Sequence, residues 1–189
     1  MTLRPLGFRI RGAQIVELGP GDSIGVGLVA LRWSGALVGL DVLPLFVKAD
    51  LESILDELVR LYARKEPIPD NDEFLRVRPY LESYEFPDRA IEWTGFGERA
   101  ELIRSEIRKS LDDGQMVTYR APWTSIAEVA PNLLDLLFSQ AVLEYVVRLE
   151  DTYRAMSMWL KPGRYAPTLS TLVPIIYRLF GTVTGPMLI

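Results

Sequence analysis

The chain has 189 residues, of which 49% are hydrophobic and 24% are charged, and its formal net charge is −4. This composition is typical of a globular protein, and the negative charge disfavours a protein that mainly coats nucleic acid. Because the chain contains no cysteine and no histidine, the sequence excludes disulfides, thiol nucleophiles and imidazole bases. We expect a cytoplasmic protein without a membrane span, since the apolar windows at 24–47 and 165–189 are broken by charges, glycines or prolines.

The first fifty residues have the pattern of a small antiparallel β unit. Residues 8–18 alternate between apolar and polar side chains, and the turn Gly19-Pro20-Gly21-Asp22 follows them. Two β-rich runs between residues 24 and 42 are joined by Ser34-Gly35, which suits a two-residue hairpin. The sequence therefore predicts a β domain over residues 1–49.

Residues 50–189 predict a mainly α-helical domain that ends in a proline-rich apolar tail. Asp50 can cap a helix whose apolar face begins at Leu51 and continues to about residue 65. A second helix is predicted over residues 98–111, whereas residues 66–97 carry four prolines and show no regular period. The fold class predicted from these patterns is α+β, with the β unit first.

The longest apolar segment runs from residue 131 to residue 160. At 3.6 residues per turn, its polar side chains fall in a narrow stripe that includes Glu144, Arg148 and Asp151. A helix that is apolar over most of its circumference is typically buried, and this one would be about 45 Å long. We therefore expect one long buried helix that a second subunit helps to cover.

A formal match to the dinucleotide fingerprint G-x-G-x-x-A occurs at residues 25–30. That motif requires a strand before it and a helix after it, so that backbone N–H groups face a pyrophosphate. Here a glycine turn precedes the motif and a strand-like pattern follows it. Glycines packed in a β-hairpin are the preferred interpretation.

Carboxylate and lysine side chains alone could serve a metal-dependent nuclease. The candidate sets are Asp41 with Lys48, and Asp88 with Glu106 and Lys109. Neither set has the acid-x-Lys spacing that places both groups at one strand end. The sequence therefore disfavours this activity.

Residues 39–51 resemble the end of the small β domain in subunits of the archaeal GINS replisome complex. In that family a strand with the pattern G-x-x-V-x-L-P-L-W-x-A-x-x-L leads into a helix. The residues that fit are Gly39, Val42, Leu43, Pro44, Leu45 and Leu51, and Phe46 stands where the tryptophan usually is. The order of the parts, with a β unit before a helical domain, also agrees with the GINS subunit whose β domain comes first.

The resemblance implies a non-catalytic scaffold subunit that needs no cofactor or metal. Such a subunit would belong to a four-subunit assembly that bridges the replicative helicase and a RecJ-like protein. We predict that the contacts with other subunits come from Trp33, Phe46, Leu133, Leu137, Tyr145, Arg148 and Trp159. The alternatives are a structural protein of a virus or other self-assembling complex and, less favoured, the metal-dependent nuclease.

Overall fold

Short runs of buried aliphatic residues form the strands of a parallel β-sheet in the computed structural model. The structure describes residues 11–21, 23–43, 50–69, 83–91, 93–109, 114–123, 125–140, 142–166 and 168–169. The strands are β1 (Gln14–Leu18), β2 (Ala36–Leu40), β3 (Val117–Arg120), β4 (Leu134–Gln140), β5 (Leu160–Tyr165) and β6 (Thr168–Leu169). The helices are α1 (Gly25–Leu31), α2 (Leu51–Arg64), α3 (Phe96–Ile107) and α4 (Leu149–Trp159), with 3₁₀ turns at Asp88–Ala90, Ile126–Glu128 and Leu143–Tyr145.

The strand order is β3-β2-β1-β4-β5, and β6 pairs with the end of β4. Each of these pairings is parallel. The chain therefore builds outward from β1 to β3 and then continues on the other side of β1 with β4. This is a doubly wound arrangement, and its strand order reverses between β1 and β4.

Alternate residues of the central strands point to opposite faces of the sheet, and helices cover both faces. Ile15 and Leu37 belong to the cluster beneath α1, α2 and α3. Val16 and Leu18 belong to the second cluster, which includes residues of α4. Because both faces are covered, β1, β2 and β4 carry buried apolar residues on both sides, as is usual in parallel sheets.

Tryptophans anchor both layers of helices. Trp159 is fully buried beside the sheet, donates its Nε1–H to the Ile126 carbonyl at 2.7 Å, and meets the Trp123 ring at 5.5 Å between centroids. On the opposite face, Trp33 and Trp93 belong to a chain of ring contacts between 5.4 and 6.0 Å. The other members of that aromatic cluster are Tyr62, Phe86 and Phe96.

Asp135 holds the amino ends of three strands together. Its carboxylate accepts hydrogen bonds from the Gln14 backbone N–H at 3.1 Å and from Lys161 Nζ at 2.8 Å, and Arg164 lies 3.3 Å away. Burial opposes ionisation of Asp135, but the lysine, the backbone amide and the arginine together hold its pKa below the ordinary value. The carboxylate therefore ties β4 to β1 and β5.

The predicted helix after Asp50 is confirmed. α2 begins at Leu51, and the Asp50 carboxylate accepts the Ser53 backbone N–H at 3.0 Å as an N-cap. The helix ends at Arg64, where Lys65 takes a left-handed conformation with φ of 52°. The second predicted helix is present as α3, which begins two residues earlier than expected and ends at Ile107.

The predicted fold class is wrong, because the strands near the N-terminus are parallel members of one large sheet. Residues 25–31 form α1 instead of a strand, so Ser34-Gly35 connects a helix to β2 and is not a hairpin turn. Strands β1 and β2 precede the predicted boundary at residue 49, and they pair with β4 and β3 beyond it. A separate β domain followed by a helical domain does not describe this sheet.

The long helix predicted over residues 131–160 is also wrong. That segment contains β4, a 3₁₀ turn and the eleven-residue α4. β4 is apolar on both sides because it lies in the middle of the covered sheet, between β1 and β5. No helix in the described part of the chain has both the length and the hydrophobicity needed to span a bilayer.

Candidate active site at the carboxyl edge of the sheet

A glycine turn follows β1 at the edge where the parallel strands end. Gly19 and Gly21 have φ angles of 64° and 69°, which favour glycine. The Gly19 N–H donates to the Leu40 carbonyl at 2.8 Å, so the turn is fastened to the end of β2. A Cβ on Gly19 would lie 2.8 Å from Cγ1 of Val142, whereas a Cβ on Gly21 would meet no heavy atom within 4 Å. The turn is therefore packed at Gly19 and open at Gly21.

Asp41 comes directly after β2 and joins this turn. Its Oδ2 accepts the Gly21 N–H at 3.0 Å, and its Oδ1 accepts the N–H groups of Val42 at 2.7 Å and Leu43 at 3.3 Å. The backbone of Asp41 also bonds to the end of β3 and to the residue Trp123 beyond it. Three amides use three of about four acceptor positions on a carboxylate, so one position remains for a further donor.

Glu17 adds a second carboxyl group near the same edge. It is the penultimate residue of β1, is only 5% exposed, and lies against the first turn of α1. Burial raises the pKa of Glu17 to about 7, and the Gly27 backbone amide opposes that rise. Its Oε2 has no hydrogen-bond partner within the described structure. A Cβ on Gly27 would lie 2.7 Å from that oxygen and still closer to a methyl group of Leu37, so a larger residue would displace one or both side chains.

The segment after β4 covers the other side of the turn. Val142 packs on Gly19, and the 3₁₀ turn Leu143–Tyr145 follows. Leu143 is buried and anchors this turn, whereas Tyr145 and Val147 are 70% and 97% exposed. The glycine turn thus lies between the ends of β2 and β4, at the point where the strand order reverses. In doubly wound sheets, ligands bind in the crevice at this point.

The seven residues predicted to contact other subunits are dispersed over the structure. Leu137 and Trp159 are fully buried inside the chain, so neither is on its surface. Trp33 belongs to the aromatic cluster of α1, α2 and α3. Leu133 is 39% exposed ahead of β4, and Phe46 lies outside the described residues.

Two of the predicted contact residues lie near the carboxyl edge. Tyr145 is exposed in the segment after β4, and Arg148 precedes α4, where it forms an exposed ion pair with Asp151. Contact of these side chains with another protein stays a prediction.

The carboxylate sets considered for a nuclease do not converge. Asp88 bonds to Lys65 and Trp93, whereas Glu106 bonds to Lys109 and to the backbone ahead of β3. Within the ranges that the structure describes, no group of three or more acidic, histidine or cysteine side chains could hold a metal ion. Lys48, the partner proposed for Asp41, lies outside those ranges.

The turn at residues 19–22 and Asp41 were both noted in the sequence, the first as a β-turn and the second as a possible metal ligand, but they were not connected as one ligand site, and Glu17 was not considered. The fingerprint was matched only at residues 25–30, where it was interpreted as hairpin glycines; these residues form most of α1, whereas the loop after β1 carries Gly19-Pro20-Gly21 six residues earlier. Asp41 follows Gly21 by 20 residues, the usual spacing between a glycine-rich turn and the acid after the second strand. A strand, a glycine turn, a helix and a second strand ending in an acid are the signal that could have identified the site.

Searches against protein-family models and against curated proteins return no match. Similar solved structures include an S-adenosylmethionine-dependent methyltransferase from Mesorhizobium loti, at 17% identity and a TM-score of 0.40, covering 88% of this chain and 49% of that one. An arsenic(III) S-adenosylmethionine methyltransferase from Chlamydomonas reinhardtii is similar at 16% identity and a TM-score of 0.42, covering 85% of this chain and 39% of that one. The methyltransferase CalH, solved with SAH, is similar at 14% identity and a TM-score of 0.40, covering 83% of this chain and 31% of CalH.

This chain thus spans less than half the length of each of those three proteins. Such low identities concern the fold alone and establish no activity for this chain.

The GINS identification is wrong, because the β unit on which it rested is part of a doubly wound parallel sheet that continues through the rest of the described chain. The non-catalytic scaffold, the replisome role and the expectation that the chain is not an enzyme depended on that identification and are withdrawn with it. The same findings give no support to the viral or self-assembling alternative. Association with other subunits stays a prediction.

Proposed function

We propose that this chain binds S-adenosylmethionine at the carboxyl edge of its sheet and transfers the methyl group to a small acceptor. The observation that carries this proposal is the convergence of an open glycine turn with two acidic side chains at adjacent strand ends. Asp41 accepts the Gly21 amide directly, and Glu17 lies beneath the start of α1. This convergence occurs beside the reversal of strand order, where nucleoside cofactors bind in doubly wound folds.

The charges near the turn favour a cationic nucleoside over a dinucleotide. The segment from Glu17 to Asp41 has a third acid, Asp22, and its one basic residue, Arg32, lies beyond the far end of α1. These acidic residues would disfavour a pyrophosphate, whereas they would attract a sulfonium and an α-ammonium group.

The glycine pattern supports the same choice of cofactor. The third position of a dinucleotide fingerprint counted from Gly19 holds Ile24, which is fully buried in place of the expected small residue. α1 has only seven residues, so it contributes little of the dipole that holds a pyrophosphate.

Each element of the site has a separate task in this proposal. The remaining acceptor position of Asp41 would take a ribose hydroxyl, and the open face of Gly21 would let the nucleoside approach the backbone. Burial raises the pKa of Glu17 to about 7, and the cationic end of a bound cofactor would favour the charged form of this carboxyl group. When bound, S-adenosylmethionine supplies a methyl group on sulfur: the acceptor forms the new bond to carbon, and the carbon–sulfur electron pair stays on S-adenosylhomocysteine.

Titration calorimetry of the full chain with S-adenosylmethionine, S-adenosylhomocysteine and NAD⁺ tests the proposal. We expect binding of the first two compounds and none of NAD⁺. Loss of one hydrogen bond to a charged group should make Asp41→Asn bind about 10- to 100-fold more weakly. Asp56→Asn is the matched control, because Asp56 is a half-exposed acid on α2 that pairs with Arg104.

A second variant guards against unfolding of Asp41→Asn. Asparagine tolerates positive φ, so Gly21→Asn should keep the turn while filling the open space above it. Weak binding by a folded Gly21→Asn protein supports the site. Failure of the wild-type chain to bind S-adenosylmethionine, or tighter binding of NAD⁺, refutes the proposal. A cytoplasmic location is part of the same proposal, and fractionation of cells that express the full chain would check it.

A further inference from the structure

Apolar side chains are exposed on both sides of the glycine turn. Val42 and Leu43, which follow β2, are 60% and 56% exposed. Tyr145 and Val147, which follow β4, are 70% and 97% exposed. We call these four residues the apolar rim. Several exposed apolar groups gathered at one edge often mark a binding surface.

The backbone of the apolar rim is held in place. The N–H groups of Val42 and Leu43 bond to Asp41 Oδ1, and the Leu43 carbonyl accepts the Tyr119 hydroxyl at 2.9 Å. Across the turn, the Tyr145 N–H donates to the Val142 carbonyl at 2.8 Å. The rim residues are therefore presented to solvent from hydrogen-bonded turns, although solvent-facing turns are usually occupied by polar residues.

The spacing of the strands that lead into the rim suits a small molecule. β2 and β4 lie on either side of β1, so the strand ends from which the two halves of the rim extend are about 10 Å apart, with the glycine turn between them. A stable protein interface buries about 800 Å² on each partner, which is more than four side chains provide. The exposed cation next to the rim, Arg148, already pairs with Asp151, and this disfavours a highly anionic partner.

We propose that the methyl acceptor is a small apolar molecule that lies between the two halves of the apolar rim, beside the cofactor. This inference rests on the proposed function, because it takes the glycine turn to be the cofactor site. Val42 and Leu43 would contact one side of the acceptor, and Tyr145 and Val147 the other. The rim would then determine which acceptors bind, independently of the residues that hold the cofactor.

The specificity for apolar acceptors can be measured by dye displacement. At saturating S-adenosylhomocysteine, 4-propyl-, 4-pentyl- and 4-heptylphenol displace the neutral dye Nile red, and the displacement gives the Kd of each phenol. Each added methylene that becomes buried should lower Kd about fourfold. Val42→Asp and Val147→Asp should each weaken binding of 4-heptylphenol at least tenfold. Leu102→Asp is the matched control: Leu102 is 47% exposed on α3, outside the rim, and its replacement should change Kd less than twofold.

Calorimetry with S-adenosylhomocysteine on the same samples separates the two proposals. If this ligand binds but the phenols show no dependence on chain length, or the rim variants bind them as the wild type does, the acceptor inference is wrong and the cofactor proposal stands. If S-adenosylhomocysteine does not bind, the proposed function itself is wrong. Sedimentation supplies one further outcome: self-association that Val147→Asp abolishes would make the rim a protein contact and would overturn the acceptor inference.

Discussion

Replacement of Glu17 by glutamine removes a carboxyl group that burial makes difficult to ionise. In the folded chain the pKa of Glu17 rises from the ordinary 4.5 to about 7, because its environment disfavours the charged form. Between these two pH values the folded state holds a proton that the unfolded state has released. Stability contributed by the neutral carboxyl is therefore fully present below pH 4.5 and is lost as the pH rises to about 7.

The size of this effect follows from the two pKa values. Each pH unit between 4.5 and about 7 corresponds to about 1.4 kcal/mol, so the wild-type chain should lose about 3 kcal/mol from this group. Glutamine has nearly the same shape and does not titrate. The free energy of unfolding of Glu17→Gln, minus that of the wild type, should therefore rise by about 3 kcal/mol between pH 4.5 and pH 8.

Urea denaturation of both proteins at half-unit pH intervals measures this difference and cancels the groups that they share. Glu150→Gln serves as the control, because Glu150 is 88% exposed and should give a difference that hardly varies with pH. A Glu17→Gln difference that is equally flat would show that the carboxyl group is solvated in the folded chain. The assignment of Glu17 as a buried acid would then be refuted.

Three further predictions concern other parts of the structure. Asp135→Asn should lower the free energy of unfolding by about 1–3 kcal/mol near neutral pH, because it leaves Lys161 without its counter-ion. In urea denaturation this difference from the wild type should vanish as the pH falls through the depressed pKa of Asp135. In thermal denaturation, Gly19→Ala should lower Tm more than Gly21→Ala does. Both glycines have positive φ, but only the methyl group added at residue 19 would meet a side chain. Equal drops in Tm would contradict the packing described at Gly19. Trp159→Phe should lower the free energy of unfolding in urea by about 2–4 kcal/mol, because it opens a cavity and removes the hydrogen bond to the Ile126 carbonyl. A loss below about 1 kcal/mol would contradict the full burial of Trp159.

The parts of the fold that could be predicted from the sequence are those with local signals. α2 has a capping aspartate at residue 50 and a regular apolar face, and both signals depend only on neighbours along the chain. β2 was likewise expected as a strand, because residues 36–40 are β-prone. The neighbour of β2 in the sheet was predicted wrongly, because β2 pairs with β3, whose residues lie more than 70 positions further along the chain.

The segment around β4 shows why hydrophobicity alone could not separate strand from helix. A central strand of a parallel sheet is covered on both faces, so it loses the alternation that identifies a strand. Residues 134–140 run directly into the apolar 3₁₀ turn and then into α4, and the three elements read together as one helix. The expectation that a second subunit covers residues 131–160 arose because these three elements were interpreted as one helix.

The candidate site was missed for a related reason. α1 consists of Gly, Val, Leu and Ala, with a second glycine at residue 27, and this composition is typical of a strand with a turn. Glycine at residue 27 gives room to the side chains of Leu37 and Glu17, and propensities do not contain such a tertiary contact. Once residues 25–31 were taken as a strand, the preceding glycine turn no longer had the strand-to-helix context that marks a ligand loop.

The four tryptophans fall into two pairs that lie on opposite faces of the sheet. Trp33 and Trp93 report on the layer of α1, α2 and α3, whereas Trp123 and Trp159 report on the layer of α4. The tryptophan fluorescence of this chain is therefore the sum of contributions from the two layers. If one pair of tryptophans is replaced, the remaining fluorescence reports on the other layer alone. Stopped-flow refolding of two such reporter proteins would reveal whether the layers assemble together or one after the other.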